Sequence, residues 1–447
     1  MIGYEMVEEK LYQALKLSSA DETEVVFRAN DSALTRFANN HIHQNVAESN
    51  ATLVLKAILD KQAGSATTND LSGEGLQKVA DRALVHAKLA PADPDLPGVP
   101  QPKTVIPAIA YDLDTDEYGP GVRASDVGRI CHIAKEKDLT AFGAFRKAAT
   151  ETAVANSAGL FVYHPATSVD IQVTVSGSSG SGRAQESAWN VANINPDAVG
   201  MEAIDKAIRA QDPKAIEPGK YTVVLDPYAV EDLVLMLNFT GMGAESVQDG
   251  YSWMNGRLDE QIMSPLVSIW DDGIDPAVLP MPFDFEGVPR QRVQIVENGW
   301  LRGPVYDTYT ANKEGRESTG HATPPNMMFF SGPLAQNLLM APGNSSVEEM
   351  IKDTEYGLYI TRFWYTRPVH PRDCIVTGMT RDGVFLIEDG QLTGPVKDLR
   401  FTQSYLEAMA NVIAVSRSRK TLIGEFGGSA CVPAVKIDNF NFTGLTV

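Results

Sequence analysis

The chain has little of what most metal and redox chemistry requires. Seven histidines and three cysteines are spread over 447 residues. Cys131, Cys374 and Cys431 are odd in number and far apart. That spacing excludes a disulfide framework and a CxxC metal site, and it fits a reducing cytoplasm. Basic residues are scarce too: 38 Lys and Arg against 57 Asp and Glu leave a net charge of -19. A phosphate-binding surface needs a basic excess, so nucleic acid is excluded as a partner class, and anionic membranes with it. No apolar run reaches the roughly 18–20 residues of a membrane span. The opening MIGYEMVEEKLYQALKL lacks a basic n-region and a small-residue cleavage site, so it reads as an amphipathic helix and not a signal peptide.

What is present suits a soluble globular protein, with 43% hydrophobic residues. The length calls for two or three domains. Short β-rich runs at 24–29, 34–37, 42–46 and 51–59 predict an antiparallel meander. Helices follow at about 73–89, with Ser72 as a cap, and at about 124–137. Five prolines in 91–102, PADPDLPGVPQP, predict an extended loop. More strands over 139–176 and a helix at about 198–211 complete an α+β first domain, residues 1–217. Residues 218–447 read as a β-rich domain, folded as a barrel or sandwich. Two of its segments match in type, each a strand, a tight turn and a strand: the Asn298-Gly299 and Asp389-Gly390 pairs predict type I′ hairpins.

The second domain opens on Asp226–Asp249, DPYAVEDLVLMLNFTGMGAESVQD. Asp226 and Pro227 read as a cap and a first helical residue. Val230, Leu233, Val234, Leu237 and Met242 suit a buried helical face, and Gly241 and Gly243 end or bend it. A helix entered from a strand is a good scaffold for a catalytic pair, yet this one offers no His, Cys or Lys.

Other candidates are weak taken singly. His41 and His43 would point to one face of a strand, but no third ligand is identifiable. Ser176–Gly182 has glycines without the Lys-Ser/Thr of a phosphate loop. Asp271, Asp272, Asp284 and Glu286 place carboxylates at turns, where acidic residues are ordinary. Ser318 and His321 lie three apart without a nucleophile elbow. Cys374 and Cys431 have no electropositive surroundings in sequence.

Taken together, Ser264-Pro-Leu-Val-Ser-Ile-Trp-Asp-Asp272, Phe283-Asp-Phe-Glu-Gly-Val-Pro289, Glu297-Asn-Gly-Trp-Leu301, Glu317-Ser-Thr-Gly-His321 and Ala341-Pro-Gly-Asn344 come in a recognisable order and spacing. With Gly428-Ser-Ala-Cys-Val-Pro-Ala-Val-Lys-Ile437, they resemble the TldD/PmbA family. The resemblance implies an N-terminal α+β domain, a C-terminal β-rich domain and a peptidase system acting on unfolded or modified peptides. It also implies two kinds of subunit. The TldD kind holds zinc on a His-Glu-x-x-x-His helix and a C-terminal Cys; the PmbA (TldE) kind lacks these ligands and pairs with it. Aligned through Gly241 and Gly243, the ligand and base positions fall on Leu237, Asn238 and Met242, and the Cys position on Phe426. Cys431 lies five residues further on. Glu245 matches a later acidic position.

Apolar and thioether side chains are poor zinc donors, and an amide cannot act as a general base. The resemblance therefore implies no cofactor in this chain and zinc in a TldD-type partner, with self-association as the other pairing. Glu245, Asp284, Glu286 and His321 are the residues expected to line a peptide cleft, and an exposed strand would suit peptide capture. Two rivals remain: a self-sufficient peptidase using His321, Glu286, Cys374 or the His41/His43 pair, and a non-enzymatic peptide-binding homo-oligomer.

Overall fold

A computed structural model describes residues 1–325, 332–424 and 428–445. The first sheet is antiparallel and six-stranded: β1 (Glu22–Ala38), β2 (His41–Leu59), β3 (Gln62–Thr68), β4 (Thr140–Asn156), β5 (Phe161–Ser176) and β6 (Ser181–Ala188), in spatial order β3-β2-β1-β4-β5-β6. Runs expected to be separate strands are continuous. Asn30, Asp31 and Ser32 interrupt the apolar pattern of β1 but not its pairing, because β2 and β4 flank them on both sides. Side chains alternate with the pleat, and over Thr23–Phe27 of β1 both faces are buried. Val25 and Phe27 face one way, under helices α1 (Tyr4–Leu17) and α2 (Gly73–Leu89). Val26 faces the other way, toward Phe283 and Phe285 of the second half.

The helices follow from local sequence. Val7, Leu11 and Ala14 give α1 a buried stripe. Ser72 caps α2 by accepting the Gly75 N–H. The short α3 (Leu113–Asp116) precedes α4 (Pro120–Glu136) and α5 (Pro196–Arg209), which cover β4 to β6 through Val127, Ile130, Ala203 and Ile204. The proline-rich segment runs without regular structure across one end of the first sheet, where Val99 N–H bonds Glu22 and Asn156 Nδ2 bonds Pro100 O. Asp93 N–H donates to Lys61 O, and Tyr309 OH and Asn312 Nδ2 of the second half bond to Asp93 and Asp95.

The second sheet is larger and mixed. Its strands are β7 (Lys220–Leu225), β8 (Ile269–Asp271), β9 (Val293–Glu297), β10 (Trp300–Leu301), β11 (Asn337–Met340), β12 (Tyr356–His370), β13 (Ile375–Glu388), β14 (Gln391–Pro395), β15 (Leu399–Ser404), β16 (Val412–Ile423) and β17 (Ser429–Leu445). Strands β17, β15, β13, β12 and β7 pair in turn, and β7 pairs back onto β17, so five strands close into a barrel. Both expected hairpins form. Asn298 and Gly299 have φ of 48° and 83°, and Asp389 and Gly390 have 49° and 75°, the left-handed pair a type I′ turn needs. Phe363, Phe401 and Phe440 pack at the barrel core. No helix among the described residues is long and apolar enough to cross a membrane.

Candidate functional site

Helix α6 (Pro227–Leu237) leaves the end of β7 and packs on β12 and β17. Pro227 occupies its first position, but Asp226 does not cap it. The carboxylate instead meets Lys206 Nζ at 2.7 Å and accepts the Tyr359 hydroxyl at 2.8 Å. Burial works against the Lys206 ammonium; the Asp226 and Glu202 charges more than offset it, so its pKa stands above the ordinary lysine value. A buried cation has the stronger claim on Asp226, because an unpaired buried charge costs more than an uncapped helix end.

Beyond Leu237 the helix widens into one π-helical turn, Asn238–Met242. Residues five apart then share a face, as in any i→i+5 turn. Leu237 and Met242 are such a pair. Both are wholly buried, in one apolar cluster with Trp253, Met254 and Val305. Backbone carbonyls of this turn find side-chain and loop donors: Trp253 Nε1 bonds Leu237 O at 2.8 Å, Ser252 Oγ bonds Gly241 O at 2.7 Å, and Val305 N–H bonds Met242 O at 2.9 Å.

Asn238 points the other way, into a cleft of about 520 Å³ between the first sheet and the second half. Glu231, Leu235 and Phe239 continue its wall along α6, opposite Arg28, Thr152 and His164. Both ends of the Asn238 amide are committed to backbone. Its Nδ2 donates to Ala335 O at 2.7 Å and its Oδ1 accepts the Ala335 N–H at 3.3 Å. It pairs with that backbone as a neighbouring strand would, holding one cleft wall. Asn238→Ala strands a buried donor and acceptor, so it should lower stability by about 1–3 kcal/mol, read from the urea midpoint.

The other expected cleft residues lie elsewhere. Glu245, on α7 (Ala244–Gln248), is half-buried against Gly332. Asp284 and His321 are solvent-excluded and do not reach the cleft. Asp284 sits inside the turn it forms, accepting N–H groups from Glu286, Val288 and Ala322, each at 2.9 Å. Gly287 makes that turn possible with φ 76°, and a Cβ there would come within 2.6 Å of Leu160. Burial outweighs those bonds and pushes the Asp284 carboxyl up to about 7. Glu286 is half-buried and accepts from Thr308 N–H and Oγ at 3.0 and 2.7 Å.

His321 Nε2 lies 3.0 Å from Asp271 Oδ1, and its Nδ1 lies 2.9 Å from Thr319 Oγ1. The order Thr-His-Asp imitates a catalytic triad, but the Thr319 hydroxyl is already bonded to the Tyr306 backbone on both sides. Burial raises the Asp271 carboxyl; His321 and Arg290 more than reverse this, leaving it below the usual range. The group is a buried clasp between β8 and the 318–322 loop. Sequence reading took Asp271 for a turn acid and missed Arg290 and Asn337, which bond each other at 2.7 Å. These partners are about 50 residues apart, and no local pattern links them.

The remaining candidates give no reactive centre. Cys374 is buried, its thiol pushed up to about 12 by burial while it lies 3.2 Å from Thr240 Oγ1. Cys431 is likewise raised by burial. His41 and His43 are exposed, and His41 Nδ1 contacts Asn39 O. Among the described residues no three His, Cys, Asp or Glu side chains are grouped to hold a metal. Phe426 lies outside the described residues. Zinc does not fit the α6 positions: a buried Leu, a buried Met and an amide committed to backbone supply no suitable donor set.

Three family models cover most of the chain. They describe the PmbA/TldA metallopeptidase domain 1, central domain and C-terminal domain, and match residues 23–87, 108–211 and 218–444. Metalloprotease PmbA of Escherichia coli O157:H7 is 23% identical over 449 residues, covering 97% of this chain and 96% of that one. A metalloprotease of Methanothermobacter thermautotrophicus is 29% identical over 235 residues, 52% of this chain and 50% of that protein. An uncharacterised Methanocaldococcus jannaschii protein is 37% identical over 126 residues, 28% of this chain and 30% of its own length. The last two matches thus span half or less of those relatives. The crystal structure of TldE from Thermococcus kodakarensis superposes with a TM-score of 0.89 at 21% identity, covering 98% of this chain and all of that one, which shows a shared fold. The chain belongs to the TldD/PmbA metallopeptidase family.

Proposed function

We propose that this chain is the metal-free, PmbA/TldE-type subunit of a cytoplasmic TldD/PmbA peptidase. In this reading the zinc is held by a TldD-type partner, and this chain completes a cleft that admits unfolded or modified peptides. One observation carries it: at the positions aligned with the ligands, Leu237 and Met242 are sealed in the core, while Asn238 spends its amide on Ala335. The family gives a protease-related role, and these residues supply neither ligand nor base for it. The cleft beside Asn238 leaves room for a chain in extended conformation.

The test is metal analysis and a peptidase assay on the purified chain, alone and mixed with a homologue bearing His-Glu-x-x-x-His. We expect substoichiometric zinc and no cleavage alone, and chelator-sensitive cleavage with the homologue. One zinc per chain with chelator-sensitive cleavage alone overturns the reading. Chelator-insensitive cleavage by the isolated, zinc-free chain would establish the self-sufficient enzyme instead. Self-association with no response to the homologue would favour the peptide-binding homo-oligomer.

A further inference from the structure

Against a chain charge of -19, one groove carries the opposite sign. It is a cavity of about 600 Å³ between the far end of the first sheet and the β12–β13 hairpin. Arg36, Arg183, Arg362 and Arg381 line it against a single carboxylate, Asp382. That carboxylate is engaged: Arg362 binds it through Nε at 2.7 Å and Nη2 at 2.5 Å. Arg36 and Arg381 have neutral groups as their near neighbours, and the charge that Arg381 feels is that of Asp398. Arg36 Nη1 lies 3.4 Å from the Gln44 amide oxygen, and the Arg381 guanidinium lies 5.8 Å from the Trp364 ring centroid. Arg367, on the same hairpin, stacks over Tyr365 at 4.2 Å. Among the described residues none of Arg36, Arg367 and Arg381 faces a carboxylate within ion-pair distance.

The hairpin is shaped to present these groups. Its register slips between Ile360 and Arg362 and again between Trp364 and Arg367, and Tyr365 has φ 57°. Bulges re-aim side chains, and a bulky residue at positive φ is strained backbone of the kind found at functional sites. Trp364, 38% exposed, carries Arg362 over its ring at 4.7 Å and so holds that guanidinium at the groove rim. The groove neighbours the cleft through shared walls. Arg183, Arg362 and Trp364 line an adjoining space of about 290 Å³, which in turn shares Glu231 and Leu235 with the cleft.

We propose that this groove anchors an acidic segment of an extended polypeptide, with its carboxylates on Arg36 and Arg381. A guanidinium takes a carboxylate through two parallel N–H bonds, which a lysine cannot reproduce. Gln172, Thr174 and Ser181 add polar side chains suited to peptide groups. A nucleic acid strand is disfavoured, since its evenly spaced phosphates would extend beyond this patch onto an acidic surface. The inference rests on the proposed function only in taking a polypeptide as the occupant.

The experiment is fluorescence anisotropy on the full chain with labelled decaglutamate, a neutral Gly-Ser decapeptide and a ten-residue oligothymidylate, at 50 and 300 mM NaCl. Decaglutamate should bind at least about tenfold more tightly than the neutral peptide and lose about tenfold or more at the higher salt. Arg36→Ala with Arg381→Ala should weaken it by roughly tenfold, and the two Arg→Lys changes should weaken it less. Both side chains are exposed, so folding is not at stake, and the salt and neutral-peptide arms need no variant. Equal binding of the acidic and neutral peptides, or affinity unchanged in the double variant, overturns the proposal. Tighter oligothymidylate binding through the same arginines also overturns it. The assay reads neither zinc nor a TldD-type partner, so its failure would fall on the groove alone.

Discussion

Restoring the family's ligand pattern on α6, as Leu237→His, Asn238→Glu and Met242→His together, should unfold the region and not create a zinc enzyme. Leu237 and Met242 each give up burial worth about 1.5–3 kcal/mol. Two imidazoles enter a cluster of Trp253, Met254 and aliphatic side chains that offers them no hydrogen bonds in exchange. At position 238 a carboxylate would replace the amide nitrogen that bonds Ala335 O, setting oxygen against oxygen. The sites are neighbours and their costs will not add simply, but a loss of about 5 kcal/mol or more is expected. Urea and thermal unfolding with zinc titration check it. A triple variant of unchanged stability that binds one zinc would mean that these positions are a pocket temporarily filled and not core, and the metal-free reading would lose its support.

That expectation turns on a distinction the sequence carried only halfway. Alignment through Gly241 and Gly243 located the three positions, and their chemistry excluded zinc. The apolar pattern already put Leu237 and Met242 on a buried face, but it gave no direction for Asn238. The π-helical turn decides this, placing Leu237 and Met242 inward together and Asn238 toward the cleft. Long-range partners decide such matters, and they leave little local trace. Asp226 reads as a helix cap until Lys206, 20 residues earlier, claims it. His321 reads as a loop histidine until Asp271 holds it. In contrast, Ser72, the Asn298-Gly299 turn and the Asp389-Gly390 turn act through neighbours within a few residues, and they were legible. The strand breaks read at Asn30–Ser32 failed for the same reason in reverse: pairing on both sides holds polar residues in a sheet that their own propensity would leave. Barrel closure, which depends on β7 meeting β17 across more than 200 residues, was visible only as a β-rich composition.

Glu286→Gln should make the protein more stable at pH 8 by about 4 kcal/mol and leave it nearly unchanged at pH 4.5. The Glu286 carboxyl is pushed up to about 8, first by burial and then by Asp284, Glu24 and Asp307; only Lys56 opposes this. Glu24 is itself raised by burial, and Lys56 stays above the ordinary lysine value although burial lowers it, because Glu24, Glu286 and Asp307 surround it. The sign follows from proton counts. Unfolded, a glutamate releases its proton near pH 4.5; folded, Glu286 keeps it until about pH 8. Between those values the native state binds more protons than the unfolded chain, so stability falls as pH rises. The contribution is intact below 4.5 and gone above 8. Glutamine mimics the protonated acid: its carbonyl can accept the Thr308 N–H and its amide can donate to Thr308 Oγ, the two contacts Glu286 makes. The variant should therefore lose most of the slope that wild type shows from pH 5 to 8. A remainder below pH 7 belongs to Asp284, whose carboxyl is raised in the same direction. Urea midpoints across this range measure both curves. Wild type and variant of equal stability at pH 8 would mean that Glu286 is ionised at no cost, with Lys56 pairing it more strongly than the surrounding carboxylates oppose it. Since Phe283 and Phe285 of the same turn pack on Val26, Val54 and Val154 of the first sheet, the pH dependence should report on the contact between the two halves that form the cleft.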